Sequence, residues 1–229
     1  MKKLVTTIAL LAICSSSAFA ANAVRISQVY GGGGGSTGTY IKDYVELFNS
    51  SGSAVDLSNW ALEYGSATGT WGSAATNYFV FPAGASIAPC SYLLVETSTP
   101  GSAGVALPVA ADYSTTNMSM SATNGKVGLF SALNAGVACG SEAAGTLIDK
   151  VAWGTANCPE VTATPGLSST EVIVRGGAGM TDTDNNSADF AKVVAGSVPL
   201  HNAGSGPNTQ CLATPTSPKT WGSIKSQYR

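Results

Sequence analysis

The chain has 229 residues, a formal net charge of -2 and only 10% charged residues, against roughly 25% in an average domain. With 44% hydrophobic residues, it is too apolar for a linker and too weakly charged for a disordered polyelectrolyte. It has no basic excess to neutralise a row of phosphates. One histidine, His201, serves the whole chain, which narrows the hydrolytic mechanisms open to it.

The first predicted element is a processing signal over residues 1–20. Lys2 and Lys3 precede an apolar run, residues 4–13, too short to span a bilayer, and Ala18-Phe19-Ala20 supplies a small-residue cleavage site. Ala21-Asn22-Ala23 is a second cleavage option. Cys14 lies in this discarded segment, and Ile13 stands where a lipoprotein box carries a small residue. No later run is long and apolar enough to be a transmembrane segment. The mature chain is therefore expected to be exported and soluble, in an extracellular, periplasmic or cell-surface location.

Short apolar blocks with period two follow, separated by Gly, Ser, Thr, Asn and Pro, and no amphipathic helix is evident. The blocks are residues 24–30 (VRISQVY), 41–49 (IKDYVELFN), 59–64 (NWALEY), 78–81, 92–96, 126–130, 147–153 and 171–175. Glycines 31–35 read as a flexible loop after the first block. They lack the Lys-Ser/Thr and the helix that a phosphate-cradling loop needs. In NWALEY, Trp60, Leu62 and Tyr64 share one face, and Ala61 and Glu63 the other. Eight or nine such strands predict an all-β fold of two packed antiparallel sheets over residues 21–175. Its core candidates include Val45, Leu47, Trp60, Leu62, Phe79, Leu94, Val127, Leu129, Val151 and Trp153. Residues 176–229 are rich in Gly, Asn, Thr and Pro, apart from 189–194 (DFAKVV), with Pro215 and Pro218 in an extended end. They read as an irregular extension packed on the sandwich.

Cys90, Cys139, Cys158 and Cys211 remain after export, and an even count in an exported chain reads as two disulfides. Four cysteines allow three connectivities. Cys139–Cys158 is favoured, because the two lie just outside runs that can pair as neighbouring strands. That leaves Cys90–Cys211 to tie the extension to the body. The cysteine spacing and the distant His201 do not suit a zinc site.

Tyr44-Val45-Glu46-Leu47-Phe48-Asn49 followed by Val55-Asp56-Leu57-Ser58-Asn59-Trp60-Ala61-Leu62 resembles the lamin-tail domain family in its bacterial, secreted form. The resemblance continues through Phe81-Pro82-Ala83-Gly84, Tyr92-Leu93-Leu94-Val95, Asn124-Gly125-Lys126-Val127-Gly128-Leu129 and residues 147–154 (LIDKVAWG). It runs from about residue 23 to about 157. The stretch 181–190 (TDTDNNSADF) looks like the acidic segment that often follows such domains. The resemblance implies an immunoglobulin-like β-sandwich without catalytic residues of its own. It is similar to modules that accompany nucleases and phosphatases in larger secreted proteins. The sequence, read to Arg229, is expected to carry no enzyme domain of that kind.

The candidate site residues are few. Ser-His-Asp or Cys-His chemistry needs a base, and His201 sits in a polar segment that reads as solvated surface. The cysteines are read as oxidised, and the acids show no clustering outside 182–189 that would suggest a glycosidase pair. No catalytic residue is assigned. Glu46, mid-strand among apolar residues, is open to reading as a perturbed functional carboxylate, but the favoured reading is structural, facing solvent or accepting hydrogen bonds from a neighbouring turn. Asp182, Asp184 and Asn186, at i, i+2 and i+4 with Asp189 nearby, have the oxygen spacing of a calcium loop. Ser187 and Val193 replace the glycine and bidentate glutamate of the complete motif. The competing reading is Asx capping of a tight turn. Trp71, flanked by glycines, is a candidate exposed binding aromatic.

These features predict a non-catalytic adhesion or targeting module that binds a protein, glycan or extracellular polymer through residues 31–39 and Trp71, with no cofactor beyond the candidate calcium. The acidic balance argues against strong direct nucleic-acid binding. The other readings are an accessory component of an extracellular nuclease or phosphatase system, and a structural cell-surface or matrix protein.

Overall fold

The computed structural model describes residues 23–212. The signal peptide, Cys14 and the prolines at 215 and 218 lie outside these residues. Twelve strands are present: β1 Val24–Tyr30, β2 Asp43–Asn49, β3 Val55–Asp56, β4 Ala61–Gly65, β5 Tyr78–Val80, β6 Ser86–Ile87, β7 Tyr92–Thr97, β8 Tyr113–Ser114, β9 Gly125–Phe130, β10 Leu147–Trp153, β11 Glu171–Arg175 and β12 Phe190–Val194. One short helix, α1 Asn186–Asp189, precedes β12.

Six strands form one sheet, in the order β12-β11-β1-β2-β7-β8, and four form the other, β10-β9-β4-β5. β3 and β6 make a two-stranded ribbon. Every pairing is antiparallel except β7 with β8. This is the sandwich of two sheets that the strand spacing predicts, in the immunoglobulin-like form that the resemblance implies.

The period-two pattern decides which side chains meet between the sheets. Val24, Ile26, Val29, Val45, Leu47, Leu93, Val95 and Ile173 from the larger sheet pack on Leu62, Tyr64, Val127, Leu129, Val151 and Trp153 from the smaller one. Leu94, a predicted member of this core, belongs instead to a second cluster with Tyr30, Tyr40, Tyr44, Val172, Ala195 and Leu200. That cluster lies on the outer face of the larger sheet. Two covered faces explain why every residue of β1 and of β2 is buried, as in strands sandwiched on both sides.

The chain after residue 175 corrects the predicted boundary. β12 pairs with β11 over its whole length, from Glu171↔Val194 to Arg175↔Phe190, so residues 176–194 complete the larger sheet rather than lying on it. The segment after β12 then crosses the outer face, and Cys211 bonds to Cys90. Cys139 bonds to Cys158. Both pairings are the favoured ones.

The glycine-rich loop is tied down. Gly33 N–H donates to Asp43 Oδ1 at 2.7 Å, Gly34 N–H donates to Ile41 O, and Thr37 and Ser169 join their hydroxyls. A Cβ at Gly33 would stand 2.1 Å from the Lys42 carbonyl carbon, so this close crossing needs glycine.

Candidate functional site

Where the last described segment crosses the larger sheet, it leaves a cleft of about 280 Å³. Glu46 on β2 and Gln28 on β1 point to this outer face because their neighbours Val45, Leu47 and Val29 point inward. Tyr92, at the start of β7, lines it together with Val198, Pro199 and His201.

Glu46 is 1% exposed, and its carboxylate is held by four donors. Ser27 Oγ donates to Oε1 at 2.6 Å. The backbone N–H of His201 donates to Oε2 at 2.6 Å, its ring Nδ1 lies 3.2 Å from the same oxygen, and Gln28 Nε2 approaches at 3.4 Å. A buried carboxylate needs such partners, and they come from both the sheet and the crossing segment. The His201 ring stacks on Tyr92, centroids 4.2 Å apart and 17° between planes. Asn208 Nδ2 donates to Tyr92 Oη at 3.0 Å, and Tyr92 in turn donates to Ala178 O. Burial raises the Tyr92 phenol above its ordinary pKa, so it stays a neutral donor.

His201 is therefore docked, not a solvated surface residue. Glu46 is buried and does not face solvent, and its donors come from β1 and from a segment 155 positions away, not from a neighbouring turn. The contacts do not form a hydrolytic relay: the Ser27 hydroxyl donates to the carboxylate, not to the imidazole that would have to take its proton. Nδ1 lies 3.2 Å from the Glu46 oxygen, a contact made by the Nδ1–H tautomer, in which Nε2 is an acceptor. The arrangement can hold a ligand through apolar walls, an aromatic face and an imidazole nitrogen.

Trp71 is corrected outright. It is 0% exposed, packs edge-on against Phe130 and carries Lys126 Nζ 5.5 Å above its ring. Its indole N–H donates to Glu142. It reaches Gly128, where an added Cβ would lie 2.5 Å from the Phe130 ring. The flanking glycines bend the chain so that the indole folds back over the smaller sheet. It offers no surface for a ligand.

The calcium candidates are divided among other partners. Asn186 has its amide fully engaged: Oδ1 accepts from Ala152 N and Glu160 N, and Nδ2 donates to Lys150 O and Glu160 Oε2. Asp189 accepts from Thr183 N, Thr183 Oγ1 and Asn185 N, which is the turn-capping role. Asp184 is exposed with φ at 56°. Asp182 pairs with Arg25 at 2.9 Å and Arg175 at 3.3 Å. Carboxylate oxygens of Asp182 and Asp189 do come together, but with Glu160 as the third. Burial first, then repulsion from Asp149, pushes Glu160 up to about 8.

No helix of the described residues is long and apolar enough to cross a membrane. The family model of the Lamin Tail Domain matches residues 17–155. The chain belongs to the lamin tail domain family. Such immunoglobulin-like domains are typically non-enzymatic modules. No curated protein matches the chain significantly. A crystal structure of a DUF4876 family protein from Bacteroides thetaiotaomicron is similar in fold, with a TM-score of 0.51 over 82% of this chain and 75% of that one, at 13% identity.

The lamin tail match ends before half of the cleft has been built. Ser27, Gln28, Glu46 and Tyr92 lie inside it; Val174, Arg175, Gly179, Val198, Pro199 and His201 lie beyond it. Sequence reasoning missed this site because Glu46 and His201 are 155 positions apart. The one available signal was an acid at an alternation position of an otherwise apolar strand.

Proposed function

We propose that the protein is an exported, non-catalytic binding module, and that it holds a protein, glycan or extracellular polymer through the cleft between β2, β7 and the segment around His201. The observation that carries this reading is the Glu46–His201–Tyr92 cluster. A buried carboxylate, a stacked imidazole and a tyrosine converge beside an apolar hollow, the usual make-up of a ligand site. The two disulfides support a working life in an oxidising compartment. The acidic composition disfavours nucleic acid as the ligand.

The test is a binding screen of the mature protein against envelope fractions, extracellular glycans and supernatant proteins, run beside the Tyr92→Ala and His201→Ala variants. Binding that both variants lose supports the cleft. Binding that both retain at full strength assigns it elsewhere. Nuclease and phosphatase assays on the same sample are expected to be blank.

A further inference from the structure

At about 280 Å³, the cleft sits just below the roughly 300–1,000 Å³ of pockets for drug-sized ligands, a size suited to one large side chain. Val174, Val198, Pro199 and the ring of Tyr92 give it an apolar lining. A second hollow of about 290 Å³ shares Tyr92, Ala178 and His201 with it and continues along residues 205–210. That path leads to Cys211, which the disulfide fixes to Cys90, two positions before Tyr92. The last described residues thus lie beside the mouth of the cleft.

Residues 213–229 (ATPTSPKTWGSIKSQYR) supply a matching sequence. They contain Trp221, then Ile224 and Tyr228, and three cations, Lys219, Lys225 and Arg229, with no acid. All thirteen Asp and Glu residues lie in the described body, so segment and body attract each other. The nine residues from 213 to Trp221 reach at most ~30 Å when extended, ample for an aromatic anchor to turn back into a hollow that begins beside the last described residues. A buried indole N–H needs an acceptor, and the His201 Nε2 is one.

We propose that the cleft is the docking site of the chain's own residues 213–229, with the Trp221 indole seated against Val198 and beside the stacked Tyr92 and His201 rings. This rests on the cleft being the binding surface proposed above, and it makes an external partner a competitor of the segment.

The test uses the full mature chain and the fluorescence of Trp221, isolated by subtracting the spectrum of Trp221→Phe. The result expected is a blue-shifted contribution protected from acrylamide, independent of protein concentration and lost in Val198→Arg. His201→Ala serves as the second variant should Val198→Arg fail to fold. A Trp221 contribution fully open to acrylamide overturns the proposal. So does protection that survives both variants, which places the indole elsewhere, or protection that grows with concentration, which assigns the cleft to a second copy. If Trp221 is open while His201→Ala and Tyr92→Ala still abolish partner binding, this proposal alone fails and the proposed function stands.

Discussion

Arg175 and Asp149 lock the two sheets together: Arg175 Nη2 donates to both carboxylate oxygens, at 2.9 and 2.7 Å, with both side chains buried. Arg175 ends β11 of the larger sheet, and Asp149 lies on β10 of the smaller one. Asp149 also accepts Ile26 N–H from β1, and Arg175 Nε donates back to Ile26 O. The pair therefore replaces the backbone ladder that two separate sheets cannot share. Phe190 from β12 closes over the guanidinium at 4.4 Å.

Removing one partner of a buried pair strands the other, at a cost of about 3–5 kcal/mol. Asp149→Ala is expected to lose stability on that scale in urea unfolding. Asp182 meets the same arginine but is 18% exposed, and its truncation is expected to cost less, on the order of 1 kcal/mol, because solvent screens the contact. Equal losses for the two variants would show that the sheet-to-sheet tie has no special weight.

Stability should fall as pH rises from 5 to 8.5. Burial lifts Asp43 to about 7 and Glu160 to about 8, above the ordinary carboxylate range. Between that range and these values the folded chain holds protons that the unfolded chain has released. Folding is then favoured at the lower pH, and the advantage disappears as pH climbs through the two folded values. Asp56 and Glu171, lowered by hydrogen bonds from Ser58 and Ser168, act only at more acid pH. Melting temperatures across this window are expected to decline, with a shallower decline in Glu160→Gln. A flat or rising profile contradicts the burial of these acids.

The two disulfides should differ in weight. Cys90–Cys211 closes a separation of 121 residues and Cys139–Cys158 one of 19. Loop-closure entropy assigns about 4.7 kcal/mol to a loop near 100 residues and about 3 to one near 15. The double serine variant at Cys90 and Cys211 is expected to unfold at lower denaturant than the one at Cys139 and Cys158; the reverse order would mean that strain or residual structure outweighs loop length.

Adding millimolar calcium to chelated protein is expected to leave its melting temperature unchanged. Arg25 and Arg175 already sit on Asp182, and the Asn186 amide is saturated. A calcium-dependent rise would mean that a cation displaces those arginines.

Much of the sandwich was legible in the sequence because alternation and turn residues fix strands locally. Residues 24–30, 147–153 and 171–175 appear as strands with the predicted bounds. The two-residue strands β3, β6 and β8 carry too little pattern to be read. β12, FAKVV, stands out as an apolar block, but the Gly, Asn, Thr and Pro around it assign it to the extension, and its pairing with β11 is not visible in the local pattern. Trp71 misled for a physical reason: glycines beside an aromatic permit a tight return to the protein as readily as an exposed tip. The cleft was invisible because Glu46 owes its burial to a segment that crosses from far along the chain.

Trp71→Ala is accordingly expected to cost about 3–5 kcal/mol, as truncations of large buried aromatics do, without touching the cleft. It is a useful control for binding experiments, since it perturbs stability and spares the site.

The most direct measurement is partner retention by the mature protein and by Val198→Trp, a substitution that fills the cleft from its wall, at matched fold content by circular dichroism. The account predicts that the filled variant captures nothing the wild type captures. Undiminished capture by a folded Val198→Trp protein would place the working surface elsewhere.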